Sequence, residues 1–373
     1  MTRDWAAWAA EQLDAIRAAG QWRSPRDLDA AGPVGSIDGR EVISFASNDY
    51  LGLSQHPAVR AAAHAAIDRW GTGAGAARLI VGSRPCHSAL ERELAAWKHT
   101  DAAVLFPTGF AANLGVLSTF SGPGTLVLSD ELNHASIIDG CRLARAEVHV
   151  YRHADAASVH EKLASHGGPA VVVTDVVFSM DGDVAPVREL AEVCADRGAL
   201  LVLDEAHTVL DPELDLADAE VLRVGTLSKT LGALGGFAAG AQDLVDLLVN
   251  RARSYIFTTA STPADVAAAS AALAIVRSAE GEALRCRLRH VVDRVAPGHP
   301  SPIVPVLIGA ESEAVAASEA LFERGLLVPA IRPPTVAPGT SRLRIALSAA
   351  HTDAQVDELV AGLDACLPGW RRG

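Results

Sequence analysis

Short apolar runs alternate with segments of helical periodicity through most of the chain. Four large apolar residues between positions 5 and 16 recur at roughly helical spacing and predict an amphipathic helix over residues 3–19. The runs that predict strands lie at 102–106, 125–128, 170–177, 200–203 and 221–224, after a first short strand at 42–46. Several of these runs lack polar alternation, which is typical of parallel strands covered on both faces.

Helices predicted at 88–98 and 187–197 lie between the strands, so the alternation predicts an α/β sheet. Beyond Pro263 the pattern changes to a long alanine-rich helix, a strand at 303–308, a helix near 311–324 and a strand at 342–346. We therefore expect three parts: an N-terminal helix and arm at 1–40, a large α/β domain at 41–250, and a smaller C-terminal α+β domain at 251–373.

Composition and charge narrow the classes of function. Hydrophobic residues make up 49% of the 373 positions, which excludes a disordered chain, and the net charge of −13 argues against broad binding to nucleic acid or anionic membrane. The five cysteines are scattered without a CxxC pair, so a disulfide framework or a metal site is not expected and a reducing cytoplasm fits. No signal peptide or membrane-spanning stretch is predicted.

Polar clusters follow the predicted strands at their carboxyl ends. In open α/β sheets ligands bind beyond these ends, so the clusters predict one shared site. The clusters are Thr108–Phe110, Asp130–His134, Ser179, Asp204–His207 and Thr226–Lys229.

Lysine is rare here, with residues only at 98, 162 and 229. Lys98 and Lys162 lie in polar helical segments and are expected on the solvated surface. Lys229 follows a buried strand in the small-residue loop VGTLSKTLGALGG, where neighbouring hydroxyls and glycines suit a phosphate. From spacing alone, a solvated loop lysine stays open as an alternative.

Two charged residues stand beside apolar runs. Asp204 ends the run LLVLD, so its carboxylate should face a cation or several donors, unless it only caps the next helix. Arg344 lies within the apolar strand RLRIAL and should therefore bind an anion. This anion is either the carboxylate of a ligand or the carboxylate of an internal salt bridge.

The string DEAH at 204–207 also occurs in nucleic-acid helicases, but that class needs a GxxxxGK[ST] phosphate loop. None of the three lysines follows a glycine, so the helicase interpretation fails. The string GTGAG at 71–75 is a weak dinucleotide signal because no clear strand precedes it.

In combination the motifs resemble the α-oxoamine synthase family of fold-type I pyridoxal 5′-phosphate (PLP) enzymes. The matching strings are SNDYLGL at 47–53, TGFAANLGV at 108–116, DELNHAS at 130–136, TDVVFSMDGD at 174–183, DEAH at 204–207, TLSKTLG at 226–232, FTTASTP at 257–263 and IRPPTVAPGTSRLRIALSAAH at 331–351. The resemblance implies a mostly parallel sheet of the seven-stranded type in the large domain, and an enzyme that condenses an amino acid with an acyl thioester and releases carbon dioxide.

The resemblance also implies residue roles. Lys229 would bind PLP as a Schiff base and later move the Cα proton, Asp204 would pair with the pyridine nitrogen, and His134 would stack on the ring. The other implied cofactor contacts are Ser179 and His207 on the phenolic side, Gly109, Phe110 and Thr226 at the phosphate, and Thr258 and Thr259 from the partner subunit of a homodimer. Lys229, His134, Asp204 and His207 are the implied catalytic residues.

For the substrates, the resemblance implies that Asn48 and Arg344 bind the amino-acid carboxylate and that Arg23 and Thr335 contact the acyl group. The segment AIRPPTVAPGTSRLRI is most similar to members that join L-alanine to a pimeloyl thioester, on coenzyme A or on a carrier protein, in biotin synthesis. Members that use glycine or serine with another acyl-CoA are the nearest alternative. A non-catalytic PLP-binding regulator is a further alternative, but the N-terminal segment offers no room for a DNA-binding domain.

Two segments depart from the family's pattern. After DEAH the chain continues with a shortened, acidic connection where the family has a glycine-rich stretch, and GAGAARLI at 73–80 lacks the usual serine and glycine. Both regions lie near the substrate entrance in the family, so the departures concern the acyl donor more than the cofactor.

Overall fold

The computed structural model describes residues 3–372, in which helices and strands alternate. The strands are β1 (Asp29–Ala30), β2 (Val34–Ile37), β3 (Arg40–Ser44), β4 (Ala102–Phe106), β5 (Leu126–Asp130), β6 (Glu147–Tyr151), β7 (Ala170–Asp175), β8 (Leu200–Asp204), β9 (Val221–Thr226), β10 (Gly236–Gly240), β11 (Ile303–Gly309), β12 (Leu326–Leu327), β13 (Ala330–Ile331) and β14 (Ser341–Ala346). The α-helices are α1 (Trp5–Ala18), α2 (Pro57–Trp70), α3 (Pro85–Lys98), α4 (Gly109–Phe120), α5 (Ala135–Ala144), α6 (Ala156–Ala164), α7 (Val187–Arg197), α8 (Gln242–Arg251), α9 (Arg253–Ile256), α10 (Pro263–Val276), α11 (Ala279–Val295), α12 (Glu311–Phe322) and α13 (Asp353–Cys366).

The central sheet has seven strands in the order β4-β10-β9-β8-β7-β5-β6. Strand β10 runs antiparallel to both of its neighbours, and the other neighbouring pairs are parallel. The predicted α/β fold with a mostly parallel seven-stranded sheet is confirmed, together with the strands predicted at β4, β5, β7, β8 and β9.

Helices cover both faces of this sheet, which explains why its strands lack polar alternation. On β7, Val171 and Val173 pack into one apolar cluster with α4, α5 and α8, while Val172 packs into another with α6 and α7. Helix α7 has the bounds that the sequence predicts, and Gly198 ends it in the left-handed conformation at φ 64°.

Two smaller sheets complete the fold. Strands β11, β14 and β13 form an antiparallel sheet, and β12 from the C-terminal part pairs in parallel with β3 of the β1-β2-β3 sheet. The helices and strands predicted beyond Pro263 are confirmed as α10, β11, α12 and β14. The division at residues 40 and 250 stays a prediction.

The predicted N-terminal helix is confirmed as α1, but it has no buried residue. Its large apolar side chains, including Trp5 at 65% exposure, face solvent in the single chain. Within residues 3–372 no helix is both long enough and apolar enough to span a bilayer.

The prediction that Lys98 is a solvated surface residue is wrong. Its side chain is only 3% exposed, and its Nζ lies 2.5 Å from Glu205 Oε2. Arg223 on β9 binds both oxygens of the same carboxylate and donates to the Lys98 carbonyl oxygen at 2.9 Å. The buried cluster Lys98–Glu205–Arg223 thus ties the end of α3 to strands β8 and β9. Lys162, in contrast, is exposed as predicted.

Candidate active site

The polar clusters meet in a cavity of about 170 Å³ at the carboxyl ends of the parallel strands. Strand ends, rather than helix faces, supply most of its lining because the parallel strands end along one edge. Eight predicted residues line it: Gly109, Phe110, His134, Ser179, Asp204, His207, Thr226 and Lys229. The structure therefore brings these predicted residues together in one cavity. The contact that each of them makes with a cofactor stays a prediction.

Asp204, the last residue of β8, is buried and fixed on both oxygens. Asn113 Nδ2 donates to its Oδ2 at 2.6 Å, and the Ala206 backbone N–H donates to its Oδ1 at 3.0 Å. No helix begins between residues 205 and 241, so Asp204 does not cap a following helix. A carboxylate held in this way faces the cavity ready for a cationic partner.

Lys229 lies across the same cavity. Burial lowers the pKa of its amine, against the opposing effect of the carboxylates of Asp204 and Asp175, and Arg344 lowers it further. A lowered amine pKa increases the neutral fraction, which is the form that attacks a carbonyl carbon or takes a proton.

His134 precedes α5 and caps its first turn. Its backbone N–H donates to Asp175 Oδ2 at 2.9 Å, and its Nδ1 lies 2.7 Å from Ser136 Oγ. Burial lowers the pKa of His134 although Asp204 opposes the shift. Burial also raises the pKa of Asp175 well above its usual range, and Asp204 adds to that shift. The imidazole is therefore a fixed, neutral ring at the cavity wall.

A hydrogen-bonded chain joins His207 to Arg344. Tyr50 Oη lies 2.6 Å from His207 Nδ1 and donates to Asn48 Oδ1 at 3.1 Å, and Arg344 donates to the same Asn48 oxygen at 3.1 Å. Burial holds the pKa of His207 well below its usual range, and Lys229 and Arg344 add to this. Burial also raises the pKa of Tyr50 to about 12, so its hydroxyl stays protonated.

Arg344 is 6% exposed and forms no ion pair with a carboxylate of residues 3–372. Its Nε donates to the Ser179 carbonyl oxygen at 2.5 Å, which places the guanidinium at the border of the cavity. The alternative of an internal salt bridge is therefore not observed, and the buried charge lacks an anion.

The opposite end of the cavity is built from close backbone contacts. A Cβ on Gly236 would lie 2.4 Å from the Thr108 carbonyl oxygen, so only glycine lets β10 pass this close to the start of α4. The N-terminus of α4 and the hydroxyls of Thr226 and Ser228, 2.8 Å apart, face the cavity. Backbone N–H groups at a helix start and hydroxyls suit a phosphate.

Together these groups fit PLP. The amine of Lys229 can bind its aldehyde carbon, Asp204 can hold a proton on its pyridine nitrogen, and the start of α4 can receive its phosphate.

Four predicted residues lie elsewhere. Arg23 and Thr335 line a second, larger cavity of about 650 Å³, which they share with Trp22, Arg26 and Arg332. Thr258 and Thr259 follow α9 and do not line the active-site cavity. Their expected role depends on a partner subunit.

Sequence reasoning missed several lining residues, chiefly Asn113, Ser136 and Asp175. Asp175 ends β7 just as Asp204 ends β8, so its position at a strand end was a usable signal. Asn113 is four residues after the start of α4, and only the packing of α4 against β8 shows that it reaches Asp204.

The fold and the site agree with comparisons to known proteins. A model of the family "aminotransferase class I and II" matches residues 40–363. The chain therefore belongs to the class I and II aminotransferase family. In structure it is similar to a serine palmitoyltransferase variant from S. paucimobilis with a bound PLP–myriocin aldimine, at a TM-score of 0.90, 28% identity and 98% coverage of both chains.

Two sequence relatives are more similar to the chain than this structure is, and they share one name. The chain is 49% identical over 391 residues to the 8-amino-7-oxononanoate synthase of Anaeromyxobacter dehalogenans strain 2CP-1, covering 99% of this chain and 97% of that protein. It is 46% identical over 376 residues to the enzyme of that name from Methylococcus capsulatus strain Bath, covering 94% and 96%. The resemblance to α-oxoamine synthases is thereby confirmed.

Proposed function

We propose that the chain is a PLP-dependent acyltransferase of biotin synthesis. It condenses L-alanine with a pimeloyl thioester and releases 8-amino-7-oxononanoate, carbon dioxide and a free thiol. The observation that carries this proposal is the cavity in which Lys229, Asp204 and His134 converge beside the unpaired cation of Arg344. The names of the relatives at 49% and 46% identity support the choice of substrates.

PLP, when bound, supplies an electron sink for negative charge at the Cα atom of the amino acid. Asp204 holds the proton on the pyridine nitrogen that this sink requires. Lys229, whose amine pKa is lowered, takes the Cα proton. The other residues hold the cofactor: His134 against the ring, Ser179 and His207 on its phenolic side, and Gly109, Phe110 and Thr226 at the phosphate.

Arg344 and Asn48 bind the carboxylate of alanine in this proposal. The guanidinium has five N–H groups, and within residues 3–372 it donates to Ser179 and Asn48 and lies beside Tyr50, which leaves further N–H groups for a carboxylate. Asn48 orients the guanidinium through its Oδ1 and can offer its amide N–H groups to the substrate.

The acyl donor occupies the second cavity, where Arg23 and Thr335 contact it. Strand β13, which borders this cavity, pairs with β14, which carries Arg344. Neighbouring strands lie about 5 Å apart, so a thioester whose acyl group reaches the alanine site can extend past this sheet edge. Coenzyme A and a carrier protein are both compatible with this placement.

A homodimer completes the site if Thr258 and Thr259 bind the phosphate of the partner subunit's cofactor. The exposed side chains of Leu79, Ile80, Val81 and Phe257, at 52–74% exposure, supply an apolar surface for this association. Mixing Lys229→Ala subunits with Thr258→Ala/Thr259→Ala subunits tests the arrangement. Hybrid dimers then regain one intact site, and an absence of any recovered activity would contradict shared sites.

The experiment for substrate choice is a matrix of alanine, glycine and serine against pimeloyl-CoA, pimeloyl carrier protein and palmitoyl-CoA. We expect turnover with alanine and a pimeloyl thioester. Serine with palmitoyl-CoA is the specific alternative, because the structural neighbours include serine palmitoyltransferases. Preference for that pair would overturn the proposal while leaving the PLP chemistry intact.

A further inference from the structure

The hairpin formed by residues 176–185, which carries Ser179, is held by contacts on two sides. Val177 and Val184 pair across it, the Phe178 N–H donates to the Asp183 carbonyl oxygen at 3.0 Å, and the Gly182 N–H donates back to Phe178 at 2.8 Å. A Cβ on Gly182 would lie 2.0 Å from the Ile303 carbonyl oxygen, so the turn is seated directly on β11. The tip of this hairpin, Ser179, lines the active-site cavity.

On the side of the small antiparallel sheet, two arginines of β14 hold the hairpin. Arg342 forms an ion pair with Asp181, and Arg344 donates to the Ser179 carbonyl oxygen at 2.5 Å. The position of the hairpin and the position of the Arg344 guanidinium are therefore linked.

On the side of the central sheet, a histidine that lies between two carboxylates connects the hairpin to the sheet. His153 Nε2 lies 2.5 Å from Asp183 Oδ2, and its Nδ1 lies 3.1 Å from Asp130 Oδ1. Asp130 is buried at the end of β5 and also accepts the backbone N–H groups of Leu132 and Ala154. The other oxygen of Asp183 is buried without a hydrogen-bond partner among the described residues, so His153 is the group that compensates this carboxylate.

Both ring nitrogens of His153 thus face carboxylate oxygens. Ionised carboxylates only accept hydrogen bonds, and a neutral imidazole has only one N–H to donate. Between two ionised carboxylates, this geometry favours the doubly protonated imidazolium. Burial alone would lower the pKa of His153, but the hydrogen bonds to Asp183 and Asp130 outweigh it and the pKa is raised.

We infer that His153 is a positioning residue, which holds the Ser179 hairpin through Asp183 and thereby sets Ser179 and Arg344 for the cofactor and the amino-acid carboxylate. The role of Arg344 in this inference rests on the proposed function, whereas the hold on the hairpin does not. Because the folded-state pKa is raised, the bridge is complete at low pH and weakens as the pH rises through that pKa. Asp130, Asp183 and, through its contact with the His153 backbone N–H, Glu131 are the charged groups that face the bridge.

The test uses His153→Gln, with Asp183→Ala as a second variant that removes the same contact from the hairpin side. His149→Gln is the matched control, because His149 on β6 also contacts a carboxylate, Glu147, but is 41% exposed and does not touch the hairpin. The first readout is hydrogen exchange in PLP-free protein over residues 176–185. We expect roughly tenfold or greater acceleration in both test variants and none in the control, since hydrogen bonds to charged groups are lost.

The second readout is alanine affinity of the PLP-loaded protein across pH. We expect a loss of about tenfold or more in His153→Gln at low pH, and a smaller difference from the unmutated protein at high pH. Unchanged exchange of residues 176–185 in both variants would overturn the inference. If the unmutated protein did not bind alanine, the proposed function would fail, and the exchange readout would still decide the role of His153.

Discussion

Replacing Arg344 tests the substrate assignment most directly. Arg344→Ala removes the guanidinium that is proposed to bind the substrate carboxylate, together with the hydrogen bonds to Ser179 and Asn48. Hydrogen bonds to charged groups contribute on the order of 1.5–3 kcal/mol, so the alanine affinity should fall roughly 10- to 150-fold. An ammonium cannot reproduce the planar fork, so Arg344→Lys should recover only part of this loss.

The assay is a titration with alanine, followed by the absorption band of bound PLP, alongside cofactor content and a thermal melt. Cofactor content should change little, because Lys229, Asp204 and the predicted phosphate contacts lie on other segments and only Ser179 loses a hydrogen bond to Arg344. Arg287→Ala is the control: Arg287 lies 2.6 Å from Asp353 and does not line the cavity, so its loss should affect stability alone. An unchanged alanine affinity in Arg344→Ala, with a large loss of stability, would refute the binding role.

Three further predictions concern the site and its support. Lys229→Ala should abolish turnover and the covalent labelling by borohydride, and labelling that persists would assign the cofactor to another lysine. Asp204→Asn should keep the fold but lower the rate by orders of magnitude, because the pyridine nitrogen loses its anionic partner; a near-normal rate would contradict this. Glu205→Gln should lower the free energy of unfolding by about 3–5 kcal/mol in urea titrations, because it leaves Lys98 and Arg223 as buried, unpaired cations. Replacing the whole cluster by apolar residues, with Lys98→Met, Glu205→Leu and Arg223→Leu, should restore most of that stability, and a loss below about 1 kcal/mol in Glu205→Gln would show that the cluster is not a strong constraint.

The ends of the strands could be predicted because each apolar run stops there and polar residues follow directly. The run LLVLD placed Asp204 at the end of β8, and the loop after β9 placed Lys229 opposite it. Strands β6 and β10 were missed for local reasons: β6 is an exposed edge strand, and GFAAG in β10 has little strand propensity without its neighbours.

Partners that are distant in sequence could not be predicted. Lys98 lies in a polar helical segment, and nothing local indicates that Glu205 and Arg223, more than a hundred residues away, enclose its amine. In the same way Tyr50 reaches His207 across 157 positions. Such contacts depend on how whole elements pack, which single-sequence periodicity does not encode.

The adjacent carboxylates of Asp204 and Glu205 limit where insertions and deletions can be accepted as this sequence evolves. Asp204 faces the cavity and Glu205 faces the buried cations, because successive residues of a strand point to opposite sides. A one-residue deletion in β8 would bring Glu205 to the cavity and Ala206 to the cations, whereas a one-residue insertion would bring Asp204 to the cations and remove the carboxylate from the cavity. Length changes should therefore be tolerated in the irregular connection after residue 208, where neither carboxylate is affected, and be excluded from β8 itself.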